Sequence, residues 1–178
     1  ATGKVENDGN LTSDLGGYIA LLAPEVRNTG VVIAQGGTVA LAAGEAFELQ
    51  FDGARLANIR IEPATIAALV ENGNAVHAPG GLIILSAQAA NALHGSIIHN
   101  SGRLEARGLS ANEKGEIRLD SGHAIIHTGT LDASGVAGGK ITLKTHNLLD
   151  AGQTLANGQS EGGDIRIDAS GRVLQTTA

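Results

Sequence analysis

Apolar residues recur at alternate positions directly after a glycine. In Gly16-Gly17-Tyr18-Ile19-Ala20-Leu21 the second and fourth residues after the glycine pair are aliphatic. The same holds for Gly36-Gly37-Thr38-Val39-Ala40-Leu41 and Gly80-Gly81-Leu82-Ile83-Ile84-Leu85. Lys114-Gly115-Glu116-Ile117-Arg118-Leu119 repeats it with one glycine replaced. Gly138-Gly139-Lys140-Ile141-Thr142-Leu143 and Gly162-Gly163-Asp164-Ile165-Arg166-Ile167 complete the set. Alternation with period two predicts strands with one buried face. The residue between the aliphatics, such as Arg118 or Arg166, is then expected on a solvated face.

A second motif precedes each copy: Asn7-Asp8-Gly9, Asn28-Thr29-Gly30, Asn72-Gly73-Asn74, Asn100-Ser101-Gly102 and, as a variant, His127-Thr128-Gly129. Asn and Gly tolerate positive φ, so the motif reads as a turn. Val5, Val26, Val70, Ile98 and Ile126 are expected to end the strand before it. Each unit then reads strand, turn, strand, glycine turn, strand. The second glycines stand at 17, 37, 81, 115, 139 and 163, so the spacings are 20, 44, 34, 24 and 24 residues. Units of this length are those of a solenoid. The pattern predicts an all-β fold, a parallel β-helix of roughly seven or eight rungs. At about 4.8 Å per rung it would be on the order of 35–40 Å long.

The 44-residue interval breaks the rhythm. Phe47-Glu48-Leu49-Gln50-Phe51 alternates as a strand, Asp52-Gly53 is a tight-turn signal, and Ala57–Ile61 offers a return strand. Pro63 suits the first turn of a short helix, with Ile66, Leu69 and Val70 on one face and Gly73 as its stop. A second short helix is expected from Ser86, as its cap, to Gly95. The expected organisation is therefore β-helix rungs over 1–45, a β-hairpin and short-helix insertion outside them over 46–71, and rungs over 72–178 of one continuous solenoid. The insertion holds both Phe residues, as a flat outer sheet face in need of covering requires.

Composition fits a narrow, stacked interior. Of 178 residues 26 are Gly, and aromatics are 2%. An aliphatic core without Trp or Cys excludes a disulfide scaffold and thiol chemistry. A net charge of −6 with scattered Lys and Arg argues against a nucleic-acid partner. No apolar run approaches the roughly 20 residues of a membrane helix. The chain opens on neither Met nor a charged-then-apolar signal segment, as expected of a mature or excised fragment.

Several stretches resemble a known family. The run Gly17–Gly30, the segments Gly37–Gly44 and Phe51-Asp52-Gly53, and the later Asn100–Gly108 and Gly129–Gly135 look like filamentous-haemagglutinin-type exoproteins of two-partner secretion. The resemblance covers nearly the whole chain and includes the irregular insertion. It implies a right-handed parallel β-helix exported by a Gram-negative bacterium to its surface or surroundings. Its export partner would be an outer-membrane two-partner secretion transporter. Members act as adhesins, haemolysins, haem-acquisition proteins or stalks of contact-dependent toxins. The family's Asn-Pro-Asn-type secretion motif does not occur here, and these residues resemble the later secretion domain and first shaft segments. The expected function is structural and adhesive, towards a host-cell, bacterial-cell or polysaccharide receptor.

Candidate chemistry does not displace that reading. The six histidines are 77, 94, 99, 123, 127 and 146; a metal site needs convergent ligands, and although His123 and His127 share strand parity, His127 to His146 is 19 residues, off the 24-residue unit, so solvated or corner histidines are expected. Asp132 and Asp168, in two Asp-Ala-Ser-Gly segments expected to be corners, lie 36 residues apart, one and a half units. A glycosidase needs paired carboxylates and aromatic sugar platforms. The glycine doublets precede strands and lack the Lys-Ser/Thr helix start of a phosphate loop. The sequence thus assigns no catalytic, cofactor-binding or metal-ligating residue. The alternatives are a β-helix carbohydrate-active enzyme and an exoprotein that captures haem or a host protein through the insertion.

Overall fold

A computed structural model describes residues 3–91 and 95–176. Within them the chain is all-β. The first unit is β1 (Lys4–Asn7), β2 (Asn10–Thr12) and β3 (Tyr18–Ala23); the second is β4 (Glu25–Asn28), β5 (Val31–Ile33) and β6 (Thr38–Ala43). The hairpin β7 (Ala46–Asp52) and β8 (Arg55–Glu62) follows. The third unit is β9 (Ala68–Asn72), β10 (Ala75–His77) and β11 (Leu82–Ala87), and the fourth is β12 (Ser96–Asn100), β13 (Arg103–Glu105) and β14 (Glu116–Ser121). The fifth is β15 (Ala124–His127), β16 (Thr130–Asp132), β17 (Gly135–Ala137) and β18 (Lys140–Thr145). The sixth is β19 (Asn147–Asp150), β20 (Gln153–Leu155), β21 (Gly158–Glu161) and β22 (Asp164–Ala169), after which comes β23 (Val173–Gln175).

Three parallel sheets collect the equivalent strand of each unit. Sheet 1 runs β1-β4-β9-β12-β15-β19-β23, sheet 2 runs β2-β5-β10-β13-β16-β20, and sheet 3 runs β3-β6-β11-β14-β18-β22. Each strand pairs with its counterparts in the units before and after. The described strands thus make six full units and one further strand, fewer than the spacing predicts, because the 44- and 34-residue intervals each hold one unit. At about 4.8 Å per strand, sheet 1 spans roughly 29 Å from its first strand to its last.

The registers place the aliphatics as the alternation predicts. In sheet 3 Ile19, Val39, Ile83, Ile117, Ile141 and Ile165 form one inward column. From Val39 to Ile141 the column is fully buried. Each such side chain contributes about 1.5–3 kcal/mol on leaving water. At β22, the end strand of sheet 3 among the described residues, Ile165 and Ile167 are 47% and 40% exposed. Sheet 1 corrects one expectation. Ile125, not Ile126, pairs with Ile98 and is buried, because the inward aliphatic stands two residues before the Asn position.

The glycines of the doublets have two roles. Gly16, Gly36 and Gly80 have positive φ, as does Gly53 at the hairpin tip. From Gly37 onward the second glycine of each pair yields to a neighbouring unit instead. A Cβ on Gly81 would lie 2.1 Å from the carbonyl oxygen of Gly37, and one on Gly37 would lie 1.9 Å from that of Gly17. The Asn-x-Gly motifs need no left-handed residue: among the described residues no non-Gly residue has positive φ, and the positive-φ glycines lie outside these motifs.

Neither expected helix forms within the described residues. Ala68–Asn72 is β9, paired with β4 and β12, so the segment outside the sheets ends before Ala68 rather than at 71. Pairing on both sides outweighs the helical spacing of Ile66, Leu69 and Val70. Ser86 lies inside β11, not at a helix start, and residues 92–94 of that expected helix lie outside the described residues. The two Asp-Ala-Ser-Gly segments are not equivalent corners. Asp132 ends β16 in sheet 2, where its Oδ1 accepts from Ser134 N at 2.9 Å. Asp168 lies within β22 of sheet 3.

Candidate interaction surface

Most buried polar groups are used to hold units together. Asn7, Asn28, Asn72 and Asn100 stack in register inside sheet 1. The Nδ2 of each of the first three donates to Oδ1 of the next at 2.8 Å. The same Nδ2 groups also reach a carbonyl two residues on, as in Asn72 to Asn74 O at 3.2 Å, which closes the turn. Buried amides in such a ladder satisfy one another. His127 takes the next position: Asn100 Nδ2 lies 3.2 Å from its Nδ1, and its Nε2 lies 3.2 Å from Gln153 O. With Asn100 donating, His127 is the tautomer that carries its proton on Nε2.

The remaining histidines do not converge. His123 and His146 have ring centroids 6.5 Å apart, and His146 Nδ1 lies 2.9 Å from Ser170 Oγ. His77 and His99 lie on β10 and β12, and His94 is outside the described residues. Among the described residues no three His, Asp or Glu side chains are grouped to hold a metal ion. Asp132 is buried beside Arg103 and Arg107, at 3.5 and 3.7 Å, and does not stack with Asp168. No helix among the described residues is long and apolar enough to cross a membrane.

The distinctive surface is the outer face of sheet 3. On β3, β6 and β11 its outward residues include Ala20, Leu22, Ala40, Ala42, Leu82 and Ile84, and the hairpin lies over them through Leu56 and Ile59, with Phe47, Leu49 and Ile61 alongside. Thr38 Oγ1 donates to Leu56 O at 2.7 Å. Arg118, on the next strand, donates from Nη2 to Ala57 O at 2.7 Å and so clasps the hairpin instead of standing free in solvent. At the hairpin tip Tyr18 and Phe51 meet edge to face at 5.5 Å, 44% and 48% exposed. Two of the chain's three aromatic residues therefore face outward.

Beyond the hairpin the face turns polar. The outward positions read Glu116, Arg118, Asp120 on β14, then Lys140, Thr142, Lys144 on β18, then Asp164, Arg166, Asp168 on β22. Charges alternate along β14 and β22, and the flanking positions alternate in sign from strand to strand. A groove of about 470 Å³ lies between this face and the hairpin, walled by Ile59, Ile61 and Pro63 and containing Asp120, Lys144 and Asp168. The two carboxylates are two strand spacings apart, roughly 9.6 Å, with the lysine in register between them.

Two surface charges among the described residues are shifted by their partners. A hydrogen bond to Glu25 and the charge of Glu71 raise the Arg27 guanidinium, and a hydrogen bond from Lys114 lowers the Glu161 carboxyl. Both are surface ion pairs, Lys114 Nζ lying 2.8 Å from Glu161 Oε2. No protein-family model matches the chain, and no curated protein is similar to it.

Proposed function

We propose that the chain is a right-handed parallel β-helical segment of a large secreted bacterial surface exoprotein, and that it serves as a rigid support for attachment. The observation that carries this reading is the division of labour between in-register sheets and external hairpin. The Asn column and the aliphatic columns are consumed in stacking, while the hairpin stands outside them with an exposed aromatic pair. Right-handed winding follows from the general hand of parallel crossover connections. The exporting organism is a Gram-negative bacterium, the export partner an outer-membrane two-partner secretion transporter, and the receptor a host-cell, bacterial-cell or polysaccharide surface; these rest on the family resemblance.

Beads coated with the 178-residue chain test the reading. They should attach to epithelial or bacterial cells, and a variant with residues 46–62 replaced by a short Gly-Ser linker should lose most attachment while keeping its sheet signal in circular dichroism. Uncoated-level attachment by the intact chain would overturn it. The groove's two carboxylates favour a carbohydrate-active enzyme as the second reading. Release of reducing ends from a polysaccharide panel, lost in Asp120→Asn, would support it.

A further inference from the structure

The sequence contains two Asn-Gly steps, Asn72-Gly73 and Asn157-Gly158. This dipeptide carries a chemistry of its own. The glycine nitrogen, unhindered by a side chain, reaches the Asn Cγ in conformations closed to other residues. The new N–Cγ bond expels ammonia and leaves a cyclic succinimide. Water then opens the ring at either carbonyl, giving aspartate or isoaspartate. The only other requirement is a base, hydroxide or buffer, to take the glycine N–H proton. The step therefore depends on whether the side-chain amide and the next nitrogen are free to meet.

At the first step the fold holds both. Asn72 is fully buried in the ladder. Its Oδ1 accepts from Asn28 Nδ2, and its Nδ2 donates to Asn100 Oδ1 and to Asn74 O. Gly73 N donates to Asn28 O at 2.8 Å. Turning Cγ of Asn72 towards that nitrogen breaks the bonds joining the second, third and fourth units and leaves buried polar groups unpaired.

The second step is built the other way. Asn157 is exposed and lies between β20 and β21. It is tied to the fifth unit through its main chain: its N donates to Ser134 Oγ at 3.0 Å, and its carbonyl accepts from Gly135 N at 2.9 Å. Neither bond uses the side-chain amide or Gly158 N.

We propose that Asn157 is a site of spontaneous modification on the folded protein, converted through the succinimide to aspartate and isoaspartate, while the ladder keeps Asn72 unreactive. Nothing in this depends on the attachment reading. Asn157 lines a crevice with Arg107 and Asp132, so each event adds a carboxylate there. Isoaspartate also lengthens the main chain by one carbon immediately before Gly158. The pairing of β17 with β21, which begins at Gly135 and Gly158, should open in that product.

The test is peptide mapping by mass spectrometry after incubation of the 178-residue chain in mildly alkaline buffer, folded or in urea. Electron-transfer fragmentation separates aspartate from isoaspartate. In the folded chain Asn157 should convert about a hundredfold faster than Asn72. In urea the two should convert within about threefold of each other, because the unfolded chain gives both the same local freedom. Isoelectric focusing of the folded chain should show a band moving from a net charge of −6 to −7. That band should be absent from Asn157→Gln, whose longer side chain closes the ring far more slowly. Conversion of Asn72 as fast as Asn157 in the folded chain would overturn the proposal. So would a folded chain in which Asn157 stays intact while the unfolded chain converts, or an acidic band that persists in Asn157→Gln. The peptide map of the unsubstituted chain decides the matter even if Asn157→Gln does not fold.

Discussion

The outer face of sheet 3 holds two surfaces built on one backbone. On β3, β6 and β11 the middle outward position is Ala20, Ala40 and Ile84; on β14, β18 and β22 it is Arg118, Thr142 and Arg166. The inward columns are alike in both halves, so the backbone and core do not distinguish them. What differs is whether the outward side chains there are apolar or polar. The first half is sealed by the hairpin; the second balances its own charges in a neutral, alternating grid. The contrast shows how a repeating set of sheets carries an external hairpin on one stretch of its length.

The sharpest way to break the contrast is to write the open half into the covered one. Ile84→Arg places a guanidinium beneath the hairpin, where Ile84 is buried against Leu56 and Ile59. An unpaired buried charge should destabilise the protein by about 3–5 kcal/mol in urea unfolding. In native-state hydrogen exchange, β7 and β8 should lose protection before β6 and β11. Arg118→Ala removes the clasp on Ala57 at the boundary. It should cost about 1–2 kcal/mol, seen as faster exchange at the hairpin with sheet 3 unchanged. Arg166→Ala changes the equivalent position in the open half, where Arg166 Nη2 lies 3.8 Å from Asp168 Oδ2. Its unfolding midpoint should stay within about 0.5 kcal/mol of wild type.

The smallest effect belongs to the ion pair flanking the open half. Lys114 lowers the Glu161 carboxyl in the folded state. A lowered carboxylate contributes stability above its ordinary value of 4.5 and loses it as pH falls through the folded value. In Lys114→Ala the Glu161 carboxyl should titrate higher by NMR, and the acid limb of the stability curve should lose that small contribution.

Much of this was legible in the chain. Alternation after each glycine identifies the inward residues of sheet 3, because a two-residue period leaves one register in which all aliphatics face the core. Phe47–Phe51 and Asp52-Gly53 likewise identify the hairpin. The Asn ladder was misread as a set of turn formers with positive φ. Yet Val26 and Asn28, Val70 and Asn72, and Ile98 and Asn100 share strand parity, so each Asn points inward with its aliphatic. That parity was the available signal, and it also selects Ile125 over Ile126 before His127. The short helix after Pro63 failed for another reason. Its apolar spacing fits helix and strand alike over so few residues, and only pairing with β4 and β12 decides between them. The groove was not legible, because it depends on how far the hairpin reaches across the sheet.

The account depends most on the stack continuing unbroken across the insertion, with β4 directly beside β9. Arg27 and Glu71 are register partners there, 44 residues apart in the chain, and their side chains form an ion pair. Neighbouring strands hold paired Cα atoms at a separation a disulfide can bridge. The chain has no cysteine, so Arg27→Cys with Glu71→Cys gives one defined pair, and Glu71→Cys with His99→Cys gives a control on β9 and β12. Under mild oxidation both double variants should form the intramolecular disulfide to a similar extent. A control that closes while the Arg27–Glu71 pair stays reduced would contradict the continuous stack and, with it, the placement of the hairpin on its outside.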